Sequence, residues 1–189
     1  MEVFENDIRH CVDVLRQGGL ILYPTDTIWG IGCDATNEQA VEKVYQLKKR
    51  CEQKSMIVLV TEERDILHYV AAPDMQLFDY LDTCQKPTTV IYENAIGLAT
   101  NLVNQDGTIA IRICKDDFCR HMIKRFQKPI VSTSANLSGD LAPATFRQIN
   151  HTIIKGVDYV VQWRQKETTE NSPSALIKWN NGKAEVLRS

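Results

Sequence analysis

VSTSANLSG, Val131 to Gly139, follows the apolar run Pro129-Ile130-Val131 and sets Ser132, Thr133, Ser134 and Asn136 where a buried strand is expected to end. Hydroxyls and an amide past a strand end can cap the next helix. With Ser138 added, the segment carries more donors and acceptors than one cap uses. Small polar groups at that density suit phosphate oxygens, the water shell of a metal, or an amino acid's carboxylate. A hydrolytic serine is disfavoured, because G-x-S-x-G is absent and no histidine sits in a similarly motif-rich place. The stretch reads as a ligand cradle at the end of a strand, and its context must then be a sheet that presents strand ends to ligands.

The rest of the chain agrees with that demand. Ile8, Cys11, Val12 and Leu15 recur at helical spacing, and Gly18-Gly19 can end the helix through a left-handed residue. Leu20 to Tyr23 reads as a buried strand closed by Pro24. A second helix is expected after Thr36, which fits a capping box with Gln39. Strands are expected at 56–60, 89–92, 109–113, 130–132 and 157–161, with two short ones near Leu176 and Val186. Helices are expected over 62–70, 74–81, 117–126 and 145–150, and Asn180-Asn181-Gly182 marks a hairpin turn. Alternating strands and helices predict an α/β fold: one domain, residues 1–189, with a twisted mixed, largely parallel sheet and flanking helices. The polar run 164–172 is the best candidate for a mobile loop.

Composition narrows the class. The 189 residues are 43% apolar and 24% charged, enough for a sizeable core and too apolar for a disordered chain. A formal charge of −2 gives no global basic field for nucleic acid, so any anion site must be local. The six cysteines form no C-x-x-C pair and the four histidines are scattered, so no zinc site is expected. The thiols read as reduced and mostly buried. The acidic N-terminus has no signal-peptide core, and no apolar run nears the ~20 residues that span a bilayer. A cytoplasmic protein without membrane contact is expected.

Three further stretches carry chemistry. Gly30-Ile31-Gly32-Cys33-Asp34-Ala35 matches the dinucleotide pattern G-x-G-x-x-A, but Pro24 to Trp29 separates it from the strand and the helix opens too late. Its glycines instead suggest a backbone passing closely beside something. Thr25-Asp26-Thr27 is either a plain turn, with Asp26 bonding nearby N–H groups, or a binding loop at a strand end. Lys48-Lys49-Arg50-Cys51-Glu52-Gln53-Lys54 is either a solvated helix end favoured by the dipole or an anion clamp with Lys48 and Arg50 on either side.

Taken in order, YPTDTIWGIGCDA, the Lys48/Arg50 pair, Arg112 in IAIRI, VSTSANLSG and Ser172-Pro173-Ser174 resemble the YrdC family of L-threonylcarbamoyladenylate synthases. The resemblance runs from about Leu20 to Arg188. It implies a YrdC/RibB-like fold with a large concave basic surface. It also implies an enzyme that joins L-threonine, bicarbonate or carbon dioxide, and ATP into threonylcarbamoyl-adenylate and pyrophosphate, with Mg²⁺. A separate threonylcarbamoyl-transferase complex would then modify tRNA, and binding of tRNA or double-stranded RNA is implied as well. By the same resemblance Thr27 contacts threonine with Thr25 nearby, Arg112 pairs with its carboxylate, Ser132 touches it and Ser174 closes over it. Lys48, Arg50 and Lys54 face the ATP phosphates. Ser134 and Asn136 hold ATP or its metal-bound phosphates, while Thr108 and Arg188 lie near the nucleotide. Two alternatives remain at this level: a non-catalytic RNA-binding module, and a YciO-like relative acting on another substrate.

Overall fold

The computed structural model describes residues 3–49, 56–180 and 182–189. The first helix, α1 (Glu5–Arg16), buries Ile8, Cys11, Val12 and Leu15, the stripe its spacing predicts, and the chain turns out of it at Gly18 with φ +70°. Two short strands follow, β1 (Ile21–Tyr23) and β2 (Gly30–Gly32). Next come α2 (Glu38–Lys48), β3 (Ile57–Val60), the one-turn α3 (Glu63–Ile66) and α4 (Gln76–Thr83). The second half runs β4 (Thr88–Tyr92), β5 (Ile109–Ile113), α5 (Asp117–Phe126) and β6 (Ile130–Ser134). A 3₁₀ turn (Phe146–Gln148), α6 (His151–Gly156), β7 (Tyr159–Val160), β8 (Ala175–Asn180) and β9 (Lys183–Arg188) complete it.

The nine strands form one mixed sheet in the order β7-β1-β2-β6-β3-β5-β4-β8-β9. The sheet is mixed, as expected. Its antiparallel share is larger than the sequence suggested: β1/β7, β3/β5 and β4/β8 pair in parallel, and the other five neighbouring pairs are antiparallel. Part of the difference is β2, which the glycines hid. Gly30-Ile31-Gly32 is a strand between β1 and β6, with Gly32 opposite Ile21 and Gly30 opposite Ser134. Glycine is needed there because a Cβ on Gly32 would sit 2.7 Å from Tyr23 Cε1 and 3.0 Å from the Val131 carbonyl. The β1–β2 connection is thus antiparallel, which rules out the parallel βαβ unit of a dinucleotide fold.

Local differences have local causes. The N-cap of α2 is Asn37, whose side chain accepts from the N–H groups of Gln39 and Ala40. Thr36 instead donates to the buried Asp34 carboxylate at 2.6 Å. The second-half helix expected over 145–150 splits into the 3₁₀ turn and α6, with Asn150 capping the latter. The opening hydroxyls lie within a strand rather than beyond one, since β6 continues through Ser132 and Thr133 to Ser134. The 164–172 run has no regular secondary structure, and its first residue is anchored by Arg164 to Asp116 at 2.8 Å.

Alternation divides the sheet into two faces. Val58, Val60, Val90, Ile111 and Val131 join one core with Leu77 and Phe78 of α4 and Phe118 and Met122 of α5. Ala110, Arg112, Ile91, Ser132 and Ser134 line a hollow on the other face. Of the cysteines, Cys11, Cys33, Cys114 and Cys119 are buried free thiols and Cys84 is half-buried, while Cys51 lies outside the described residues. Burial pushes the Cys11 and Cys33 thiols up, which keeps them protonated and inert. Among the described residues no helix is long and apolar enough to cross a membrane.

Candidate functional site

The hollow has a volume of about 330 Å³ and collects residues from seven separate segments. Thr27 to Trp29 come from the β1–β2 loop, Gly30 from β2, Met56 and Ile57 from the start of β3, Ile91 from β4 and Ala142 from the segment after β6. Ala110 and Arg112 come from β5, Ser132 to Ser134 from β6, and Pro173, Ser174, Leu176 and Arg188 from the C-terminal hairpin. Register explains the convergence. Ser132 pairs with Ile57, and Ile57 with Ala110, so their side chains rise from the same face two residues from Arg112.

Arg112 is the centre of charge. Its side chain is only 3% exposed, and Nη2 lies 2.9 Å from Asp26 Oδ1. That contact is an ion pair without hydrogen-bond geometry, as Oδ1 has no hydrogen-bond partner among the described residues. Nη1 donates to Thr27 Oγ1 at 3.1 Å. Nε has no partner among the described residues. A buried guanidinium with one fixed hydroxyl contact, one off-axis carboxylate and one uncommitted N–H is poised to take a planar anion.

The loop that carries Asp26 is both a turn and a wall of the site. Thr25 Oγ1 accepts from the Thr27 N–H at 3.0 Å and donates to the Ile28 carbonyl at 2.9 Å. The two threonine hydroxyls lie 2.9 Å apart. Thr25 therefore braces the turn, and Thr27 faces the hollow and the arginine. Opposite them, Ser174 Oγ meets Thr89 Oγ1 at 2.8 Å, and Arg188 Nε donates to the Ser174 carbonyl at 3.1 Å. Behind β2, Tyr23 is fully buried and burial pushes its phenol well up, so it remains a neutral wall beneath Ser132.

The basic helix end and the hydroxyl-rich strand do meet. Lys48, buried at the end of α2, donates from Nζ to the carbonyls of Ser134 and Asn136, the latter at 2.6 Å. The Ser138 N–H returns a bond to the Lys48 carbonyl at 2.9 Å. Lys48 thus fastens the turn after β6 rather than lining the hollow. Asn136 donates to the carbonyls of Leu137 and Asp140, and its buried Oδ1 has no partner among the described residues. Arg50 and Lys54 lie outside the described residues.

Thr108 stands apart from the others. It shares the face of Ala110 and Arg112 by alternation, but its hydroxyl and N–H both donate to Asp106 Oδ1, at 2.7 and 3.0 Å, and it does not line the hollow. Sequence reasoning missed Asp26 as the partner of Arg112 and Thr89 as the partner of Ser174. Only Thr89 left a signal, its place one residue from Val90 in a strand whose alternation can be followed.

A larger cavity of about 620 Å³ opens on the other face of the sheet. It is mainly apolar and has no comparable convergence of hydroxyls with a guanidinium, so the smaller hollow is the candidate for chemistry. That hollow, floored by a mixed sheet and walled by hydroxyls around one buried arginine, has the chemistry to hold a small anionic molecule.

Comparison with known proteins makes the class specific. The chain belongs to the Sua5/YciO/YrdC family, whose model carries the description "Telomere recombination" and matches residues 13–189. It is 30% identical to the threonylcarbamoyl-AMP synthase of Pseudoalteromonas translucida over 182 residues, 95% of this chain and 96% of that relative. The crystal structure of P. abyssi Sua5 complexed with L-threonine superposes with a TM-score of 0.87 at 19% identity over 100% of this chain. This chain spans 55% of the length of that Sua5 chain. The structure of E. coli YciO gives a TM-score of 0.82 at 19% identity, covering 97% of this chain and 88% of YciO. At those identities the structural likeness is one of fold.

Proposed function

We infer that the protein is an L-threonylcarbamoyladenylate synthase, a nucleotidyltransferase that forms threonylcarbamoyl-AMP and pyrophosphate from L-threonine, bicarbonate or carbon dioxide, and ATP. The observation that carries the reading is Arg112: a buried guanidinium held by Thr27 and Asp26 at the wall of a hydroxyl-lined hollow. The 30% identity, over 95% of this chain, to a relative of that name supports the activity. We take residues 1–189 to act as one domain, and the product to pass to a transferase complex that modifies tRNA.

In this reading the threonine carboxylate takes a bidentate contact from Arg112, displacing the off-axis pairing with Asp26. Thr27, Ser132 and Ser174 surround the amino-acid end. The neutral threonine amine adds to the carbon of carbon dioxide and loses one N–H proton to solvent, giving a carbamate. A carbamate oxygen attacks the α-phosphorus of ATP, and pyrophosphate leaves with the bonding electrons of the broken P–O bond. No protein nucleophile is needed, in keeping with the missing serine–histidine pair. The protein aligns two anionic reactants, and alignment alone can lower such barriers by about 7–11 kcal/mol.

Arg50, Lys54 and Arg188 would neutralise phosphate charge, and Thr108 would stand near the nucleotide. Lys48 serves indirectly, by holding the Ser134–Asn136 backbone in place. The described residues offer no cluster of three acidic or metal-ligating side chains. Mg²⁺ carried on the substrate's phosphates would need few protein ligands. Asn136 Oδ1 and Ser134 Oγ are the hard oxygen donors available to it, and bound there Mg²⁺ would offset charge on the phosphates.

Pyrophosphate release tests the reading. It is expected only when L-threonine, bicarbonate and ATP are all present. Release that is indifferent to threonine or to bicarbonate would contradict it.

A further inference from the structure

The 620 Å³ cavity on the helix-covered face is unused by the proposed chemistry. Its interior is formed by Leu81, Pro87, Tyr92, Ile111 and Ile113, and its volume lies within the range of about 300–1,000 Å³ that holds a small molecule. Charged residues of the lining are Asp26, Glu62, Glu63, Arg64, Asp82, Lys86 and Lys115, and Asp26 is offset by its ion pair with Arg112, so the remaining charges of both signs balance. Glu62 and Arg64 already pair with each other at 2.8 Å. A strongly anionic or cationic occupant therefore finds no net field there.

One polar group of the wall is unsatisfied. Tyr92 is 5% exposed, and its hydroxyl has no hydrogen-bond partner among the described residues. Burial pushes its phenol up, so it stays protonated and can only gain by meeting an acceptor. Alternation fixes which face this belongs to. Tyr92, Ile111 and Ile113 point away from Ile91, Ala110 and Arg112, so the cavity and the hollow lie on opposite faces of the same strands.

We propose that this cavity is a second binding site, for a neutral, mainly apolar small molecule that presents one hydrogen-bond acceptor to Tyr92. The site shares Asp26 with the ion pair to Arg112 but no other residue with the hollow, and its test reads occupancy by a probe without turnover, so the test does not depend on the proposed function.

Cys84 lines the cavity and is half-buried, whereas the other described cysteines are buried, so it reports occupancy at this place alone. The probe is 6-propionyl-2-(dimethylamino)naphthalene, a neutral aryl ketone whose emission moves to the blue in apolar surroundings. Saturable blue-shifted binding is expected, together with slower iodoacetamide labelling of Cys84 in peptide maps. Saturating ATP with L-threonine should leave that protection in place. Leu81→Trp, which fills the cavity from its wall, should abolish binding in a protein whose thermal melt is retained. Tyr92→Phe should weaken binding about three- to tenfold without loss of stability, since it removes a hydroxyl that has no partner. Should Leu81→Trp fail to fold, protection of Cys84 in the wild type and its response to Tyr92→Phe decide the matter. Absence of saturable binding, no protection of Cys84, displacement by ATP with threonine, or equal affinity in Tyr92→Phe would overturn the proposal.

Discussion

At the scale of single residues, the site rests on how Arg112 is held. Its guanidinium is buried and its two fixed contacts come from one loop, through Asp26 and Thr27. Arg112→Ala removes the anion clamp and leaves the Asp26 carboxylate partly buried without its counter-charge. Losing one member of a buried pair typically costs 3–5 kcal/mol; with Asp26 14% exposed, about 3 kcal/mol is expected here. Melting curves should show that loss, and kcat/KM for threonine should fall by at least about 100-fold, equivalent to ~2.7 kcal/mol. Arg112→Lys keeps the charge but not the fork, so it should recover stability more than it recovers kcat/KM. Equal recovery of both would mean that charge alone, not bidentate geometry, matters at this position.

At the scale of elements, two positions separate what is readable in a sequence from what is not. Asn37 caps α2 through two backbone N–H groups, and Asn37→Ala should lower stability by about 1 kcal/mol in chemical denaturation. Gly32→Ala should cost about 1–3 kcal/mol, because its Cβ would press on the Tyr23 ring and on the Val131 carbonyl of the neighbouring strand. A Gly32→Ala protein as stable as the wild type would contradict the packing of β2 between β1 and β6. The helices α1 and α5 were legible because their apolar stripes are long and regular. The strand β5 was legible as a continuous apolar run broken only by Arg112. By contrast, β2 is three residues long and two of them are glycine, so neither periodicity nor propensity marks it. The Thr36 cap was misread because Thr36 and Asn37 are both good caps, and only the tertiary position of Asp34 directs the threonine elsewhere. Among site residues, the family resemblance pointed to Thr27, Arg112, Ser132, Ser134, Ser174 and Arg188, and the fold brings these together around the hollow. It could not disclose that Lys48 spends its ammonium on the carbonyls of the turn after β6, since backbone partners leave no trace in side-chain identity.

At the scale of the whole molecule, strand order does the assembling. Segments far apart in the chain, from Thr27 to Arg188, meet because β2, β6, β3, β5, β4 and β8 lie side by side. One face of those strands belongs to the core and the other carries the hollow, so the same elements supply stability and site. In the proposed function this hollow joins threonine, inorganic carbon and a nucleotide into one product. Mass spectrometry of a reaction fed with ATP, L-threonine and ¹³C-labelled bicarbonate tests it most directly. Wild-type protein should yield threonylcarbamoyl-adenylate carrying the heavy carbon, and Arg112→Ala should yield little or none. An adenylate without the label, or undiminished product from Arg112→Ala, would contradict the account.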